Sequence, residues 1–252
     1  MRRTPARSVV TCEHASNRVP ARYRNLGLSG RRLQEHIAWD PGAAVMARML
    51  AHRLHSPLHL GRWSRLVVDL NRSLDHEKLM AAESFGIAIP GNARIADADF
   101  MRRIEKYYAP YRDAATNDVL RALRGGGVCH HWSVHSFTPE VDGEVRDCDL
   151  GLLYDPARPG ERALMRALRP LLAAHGLRVR MNYPYKGTSD GFTTQLRQHL
   201  PASQYLAFEI ETNQRLVRSD AGARKLGGIL SAAVAAVLGA PAPALHGARR
   251  SR

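Results

Sequence analysis

The sequence predicts an α/β protein of one domain, a sandwich whose mixed, mainly parallel sheet is flanked by helices. Three observations lead there. Short β-branched runs alternate with helical patterns. The 252 residues are enough for one large core, and no shift in composition marks a linker. Chemically useful side chains fall just after the predicted strands, where open α/β sheets place their ligands.

The elements follow in order. Residues 8–12 form a β-branched run and predict a buried strand. Residues 13–39 read as loop, punctuated by Pro20, Gly27 and Gly30. Asp40-Pro41 opens a helix, with Asp as N-cap and Pro in the first turn. Val45, Met49, Leu50 and Leu54 then recur at helical spacing. Residues 58–60 and 66–70 predict two strands, broken near Gly61. Residues 75–96 are a long loop containing Gly and Pro, suited to covering a site. Residues 97–124 carry the longest helical pattern, with a break expected at Pro110 and a stop at Gly125-Gly126-Gly127. Residues 128–135 predict a strand, 138–148 an acidic turn and 149–154 a further strand. A helix over 162–175 stops at Gly176. Strands over 178–182 and 204–211 enclose a loop, and a helix over 221–238 closes a domain spanning 1–240. The Pro/Ala/Arg-rich tail, 241–252, is expected to be disordered.

Composition narrows the classes of function. The net charge is +14, yet only four of the 37 basic residues are lysines (Lys78, Lys106, Lys186, Lys225). The arginines are scattered, with no basic stripe interleaved with aromatics, so no nucleic-acid partner is expected. Cys12, Cys129 and Cys148 show no paired spacing, which fits a reducing compartment. The basic N-terminus lacks the apolar run of a signal peptide, and the longest apolar stretch, 229–242, is too short for a bilayer. A cytoplasmic protein without membrane contact is expected, as monomer or homodimer.

Three segments carry the chemistry. His14 in Cys12-Glu13-His14 and His135 in Ser133-Val134-His135-Ser136-Phe137 follow or end apolar strands. Two imidazoles from distant strands suit a catalytic zinc, which takes three protein groups and keeps one position open. Asp40 is the candidate third ligand, with His36 nearby; the plainer reading of Asp40 is the N-cap. Glu13 is also a donor, but in a regular strand it would face away from His14. Glu209 and Glu211 lie two apart on one strand face, and either suits a general base. Asn71-Arg72 and Arg65 flank the third predicted strand and suit a carboxylate clamp. Tyr185, Lys186 and Arg197 are further candidates for substrate contact. A Gly-x-Ser-x-Gly elbow is absent, and Cys12 reads as a buried hydrophobe rather than a thiol nucleophile. These residues describe a zinc amidohydrolase acting on a small acidic substrate.

Taken together, the segments resemble the N-formylglutamate amidohydrolase family. The resemblance runs from Val10 to about Val217. It rests on residues 12–20, His36-Ile37-Ala38-Trp39-Asp40, Ser64-Arg65 through Asn71-Arg72, Asp149-Leu150-Gly151, Asn182 to Gly187 and Glu211 to Val217. Asp69-Leu70-Asn71-Arg72 is also similar to the clamp motif of the aspartoacylase and succinylglutamate desuccinylase group. The segment 133–137 is similar to the second zinc-histidine segment of zinc carboxypeptidases. The resemblance implies a phosphorylase/hydrolase-like fold, one Zn2+ held by His14 and His135, Glu211 as the base that activates water, and Glu209 as a supporting acid. It also implies that Asn71 and Arg72 contact substrate carboxylate and carbonyl. Carboxypeptidases carry a zinc-binding Glu three residues after the first His; here that position is Asn17, so the third ligand comes from elsewhere. The implied substrate is N-formyl-L-glutamate. The alternatives are a metallo-carboxypeptidase or amidase acting on a peptide or cell-wall fragment, and a non-catalytic basic binding protein on the same scaffold.

Overall fold

The computed structural model describes residues 7–239, so the expected tail at 241–252 lies outside the described residues. Strand β1 (Arg7–Cys12) leads through a helical turn, α1 (Gly30–Leu33), to α2 (Ala43–Leu54) and β2 (Leu58–Leu60). A short hairpin, β3 (Glu83–Ser84) and β4 (Ile87–Ala88), precedes α3 (Asp97–Arg103), a π-helical turn (Ile104–Tyr108) and α4 (Ala109–Leu123). Next come β5 (Cys129–Phe137), a second hairpin of β6 (Glu140–Val141) and β7 (Glu144–Val145), then β8 (Leu150–Leu153) and α5 (Pro159–Ala173). The last elements are β9 (Val179–Met181), α6 (Phe192–His199), β10 (Tyr205–Asn213) and α7 (Asp220–Val237).

One six-stranded sheet, ordered β2-β1-β5-β10-β8-β9, forms the centre. Its first four strands are parallel; β8 runs antiparallel to β10, and β9 runs parallel to β8. Alternation along the strands separates two cores, because successive side chains point to opposite faces. Val10, Trp132, Val134, Phe208 and Ile210 pack with Met46 and Leu50 of α2, Leu168 of α5 and Leu230 of α7. Val9, Cys129 and Ala207 pack on the other side with Val119 of α4 and Phe192 of α6. Ser133, His135, Glu209 and Glu211 have the parity of this second face, and Glu211 pairs in register with His135. Among the described residues no helix is long and apolar enough to cross a membrane.

Five expectations change. Residues 66–70 are not a strand. Their amides and carbonyls bond to loops instead: Asp69 N donates to Leu79 O (2.8 Å), and Leu66 O accepts from Asn92 Nδ2 (2.8 Å). Leu66, Val67 and Val68 are buried in two small clusters beneath loops, so the β-branched pattern reports burial rather than pairing. Pro110 does not break its helix. It follows the π-helical turn, whose wider spacing relieves the clash between the proline ring and the carbonyl four residues back. Asp40 does not cap α2: Gly42, with φ 79°, holds that position without any side-chain cap. Residues 138–148 are not a plain turn but contain the β6–β7 hairpin.

Arg197 is a further change, the fifth. It lies on α6, 8% exposed, and is not among the residues lining the central cavity. Its guanidinium bonds Glu161 Oε1 (3.0 Å) and the carbonyls of Gly187 (2.7 Å) and Ala207 (2.7 Å). It ties α6 to α5 and β10 rather than contacting substrate. Arg197→Met leaves the fully buried Glu161 charge without its partner. A loss of about 3–5 kcal/mol is expected in urea unfolding, whereas a solvated arginine would cost under about 1 kcal/mol.

Candidate active site

The carboxyl ends of β1, β5 and β10 bring the site together. Strand β1 stops at Cys12, and the chain turns through Glu13 and His14. His14, Asp40 and His135 are all buried, and each offers a ligand atom within 4.8 Å of the others. The two imidazole centroids are 5.0 Å apart at 63°. His135 Nδ1 lies 2.8 Å from Asp40 Oδ2, and His14 Nδ1 lies 3.5 Å from the same oxygen. Both Nδ1 atoms therefore converge on one carboxylate oxygen.

The outer nitrogens are tied back. His14 Nε2 is 2.6 Å from Asp69 Oδ1. His135 Nε2 is 2.9 Å from Ser133 Oγ and 3.1 Å from Glu13 Oε2, and Ser133 Oγ donates to that same Glu13 oxygen at 2.6 Å. Carboxylates behind metal-binding imidazoles fix the tautomer that leaves the inner nitrogen free to coordinate. Arg65 and His36 hold the second oxygen of Asp40.

Electrostatics agree with a cation at the centre. Burial alone would raise the Asp40 pKa, but the Arg65 charge and hydrogen bonds from His135, His14 and His36 hold it well below the usual carboxylate range. Burial alone would lower the His135 pKa, but hydrogen bonds to Asp40 and Glu13 raise it well above the usual imidazole range. The space between Nδ1 and Asp40 thus demands positive charge, which a divalent cation supplies as a proton does. Two imidazoles and one carboxylate are a donor set of catalytic metal sites, so these residues fit the group. Cys12 is unsuited to attack: burial, then the Asp40 and Glu13 charges, push its thiol well up, and it is fully buried.

Glu211 is the reactive group left over. It is buried, and its Oε2 has no hydrogen-bond partner among the described residues. Burial first, then the charges of Asp40 and Glu209, push its pKa up to about 8, with His135 and Arg65 opposing. Glu209 is held differently, accepting a hydrogen bond from Thr193 (2.6 Å).

These groups open into a cavity of about 640 Å³. Arg65, Asn71, Arg72, Tyr185, Lys186, Glu209 and Glu211 all line it, so the structure brings together every expected site residue except Arg197. Asn71 is fixed by Phe192 N (2.8 Å) and its Nδ2 lies 3.5 Å from His135 Nε2. Arg72 donates to the Asp190 carbonyl (3.1 Å), while Tyr108 donates to the Arg72 carbonyl (2.7 Å). The 75–96 segment covers one side as expected, contributing Lys78, Ala81, Glu83, Ser84 and Phe85. The β6–β7 hairpin contributes Val141 and Asp142. Ser133 and Asp69, which hold the imidazoles, were given no role by the sequence reading, and Glu13, weighed there as a metal donor, instead lies behind His135. The signal for Asp69 was present, since it heads the Asp69-Leu70-Asn71-Arg72 motif.

A buried acid–imidazole cluster beside an unpartnered carboxyl, at the carboxyl edge of a mixed sheet, is suited to hydrolysis, and the family match makes the chain a hydrolase acting on amides. The chain belongs to the N-formylglutamate amidohydrolase family, whose model matches residues 6–218. Its fold is similar to that of a gene product of Agrobacterium tumefaciens, with 32% identity over 93% of this chain and 91% of that one and a TM-score of 0.83. It is also similar to the N-formylglutamate amidohydrolase of Ralstonia eutropha, with 22% identity over 93% of each chain and a TM-score of 0.66. No curated protein matches the chain.

If Asp69 orients His14 as a ligand, Asp69→Asn lowers affinity for a divalent cation by about 10- to 100-fold. Competition with a chromogenic chelator measures this. Unchanged affinity would show that the His14–Asp69 contact is purely structural.

Proposed function

We propose that the protein is a zinc-dependent amidohydrolase of small N-acyl amino acids, with N-formyl-L-glutamate the leading substrate and formate and L-glutamate the products. The observation that carries this reading is Glu211, a buried carboxyl without a partner beside a His14–Asp40–His135 cluster suited to a metal. The donor set favours zinc. A zinc ion there supplies Lewis-acid polarisation of the scissile carbonyl and makes water a stronger nucleophile near neutral pH.

The remaining work falls to the chain's own residues. Glu211, poised near neutrality, takes the proton of the attacking water at its free Oε2 and passes it to the departing nitrogen. Glu209, held by the Thr193 hydroxyl, keeps negative charge near Glu211 and so helps hold its pKa up. Arg65 secures Asp40 in place. Arg72 and Asn71, anchored through Asp190 and Phe192, hold a substrate carboxylate, and Arg72 stabilises negative charge developing on the carbonyl oxygen. Tyr185 and Lys186 contact the substrate from the facing wall.

A cavity bordered by the 75–96 segment and the β6–β7 hairpin favours a small molecule over a peptide or cell-wall strand, which needs an open groove. Three free, buried cysteines are consistent with a reducing, cytoplasmic setting, and we take the working unit to be a monomer or homodimer.

Metal analysis coupled to amine release from N-formyl, N-acetyl and N-succinyl amino acids tests the reading. One zinc per chain and release from N-formyl-L-glutamate are expected; silence across the panel from zinc-loaded protein would remove the proposal. In the same assay Glu211→Gln should lower kcat by about 10²–10⁴-fold. Zinc content should stay at the wild-type level, because Glu211 is not placed among the ligands.

A further inference from the structure

We propose that Arg146 is the specificity-determining residue that reads a second carboxylate on the substrate, remote from the scissile amide. The inference rests on the reading of the cavity as an N-acyl amino acid site and names the side chain that selects an acidic amino acid there.

Arg146 follows the β6–β7 hairpin, is partly buried and lines the cavity. Most arginines turned inward are already engaged. Arg65 meets Asp40, Arg103 meets Asp99 and Arg197 meets Glu161. Arg146 has no carboxylate in ion-pair contact among the described residues. Acids are close in sequence, but Asp147 pairs with Arg178 and Asp149 with Arg215.

Yet the guanidinium is not loose. It donates to Tyr185 Oη (2.9 Å) and lies over the rings of Tyr185 (5.0 Å) and Phe137 (5.9 Å). Its backbone is fixed as well: Arg146 N donates to Pro139 O (2.8 Å), and its carbonyl accepts from Cys148 N (2.9 Å) and Asn213 Nδ2 (3.4 Å). Asn213 lies two residues beyond Glu211 on β10, so the cation is referenced to the strand that carries the proposed base. A charged fork held in place by aromatic rings, with its remaining donors free, is preorganised for a carboxylate. Lys186, beside Tyr185 and likewise without an acidic partner among the described residues, adds a second positive charge to this wall. Arg72 is placed elsewhere, in the segment that carries Asp69, the partner of His14. The two arginines thus suit an amino acid with two carboxylates.

The test compares Arg146→Gln and Arg146→Lys with wild type on N-formyl-L-glutamate and N-formyl-L-glutamine. Arg146→Gln should lower kcat/KM for the glutamate substrate by about 10- to 100-fold, mainly through KM. It should leave the glutamine substrate within about twofold, so that preference between them collapses; Arg146→Lys should restore part of it. Calorimetric titration of zinc-loaded protein with glutarate and butyrate adds a readout that needs no turnover. Wild type should prefer glutarate, and Arg146→Gln should lose about tenfold in glutarate affinity while butyrate binding is unchanged. Equal losses on both members of either pair, or preserved preference in the variant, would overturn the assignment. If wild type hydrolyses no formyl amino acid, the proposed reaction fails, and the glutarate–butyrate comparison still decides whether Arg146 reads a second carboxylate.

Discussion

The site depends on one buried carboxylate, that of Asp40. It is 1% exposed, and a lone charge at such depth would cost several kcal/mol. Its two oxygens are met instead by His14, His36, Arg65 and His135. These partners come from different places: the turn after β1, the loop before α2, the buried segment 64–72 and the end of β5. Each must be correctly placed for the charge to be tolerated, so the folded state that buries Asp40 is also the one that assembles the cluster. The backbone joins in, since Asp40 N donates to His14 O (2.9 Å) and Ala43 N donates to Asp40 O (3.2 Å) at the start of α2.

Around this carboxylate the polar groups form layers of unequal freedom. Glu13 and Asp69 are pulled well below the usual carboxylate range by the imidazoles they hold, against the opposing effect of burial. Tyr111 completes Glu13 from the α4 side at 3.3 Å. In contrast, burial of Glu211, reinforced by the Asp40 and Glu209 charges, outweighs the opposing effect of His135 and Arg65, and its pKa moves up. Acids of one type, placed within the same edge of the sheet, are thereby divided into fixed anions that orient imidazoles and one carboxyl able to exchange a proton near neutrality.

Much of this was legible in the sequence because strand periodicity is strict. Once β5 and β10 are recognised, His135 and Glu211 must lie at their carboxyl ends with matching parity, and the parallel register places them side by side. The α/β alternation was equally readable. Glu13 was misjudged for a local reason: alternation holds only within a strand, β1 ends at Cys12, and the following turn sends Glu13 towards Ser133 and His14 towards Asp40. Asp40-Pro41 resembled a helix cap because Asp is a preferred N-cap and Pro suits the first turn, while Asp serves equally as a buried anion, and only the surrounding cations decide between the two. Arg197 follows from no local pattern at all, since its partner Glu161 is 36 residues away and its acceptor carbonyls belong to other elements.

The same limit bears on the arginine-rich composition. The segment 64–72 is largely buried but irregular, so its carbonyls lack the partners that a helix or ladder would supply. Arginines fill that need. Arg103 binds Val67 O (3.1 Å) and the Asn92 side chain (2.7 Å). Arg112 binds Leu70 O (3.1 Å) and Arg72 O (3.3 Å). Arg158 binds Tyr205 O (3.1 Å) and Leu200 O (3.2 Å). One planar fork reaches two or three acceptors at once, which a lysine ammonium does with far less geometric control. Irregular backbone carries Asn71 and Arg72 into the cavity, and buried guanidinium groups hold that backbone still. Part of the positive charge that looks like a surface property is therefore internal scaffolding of the active site.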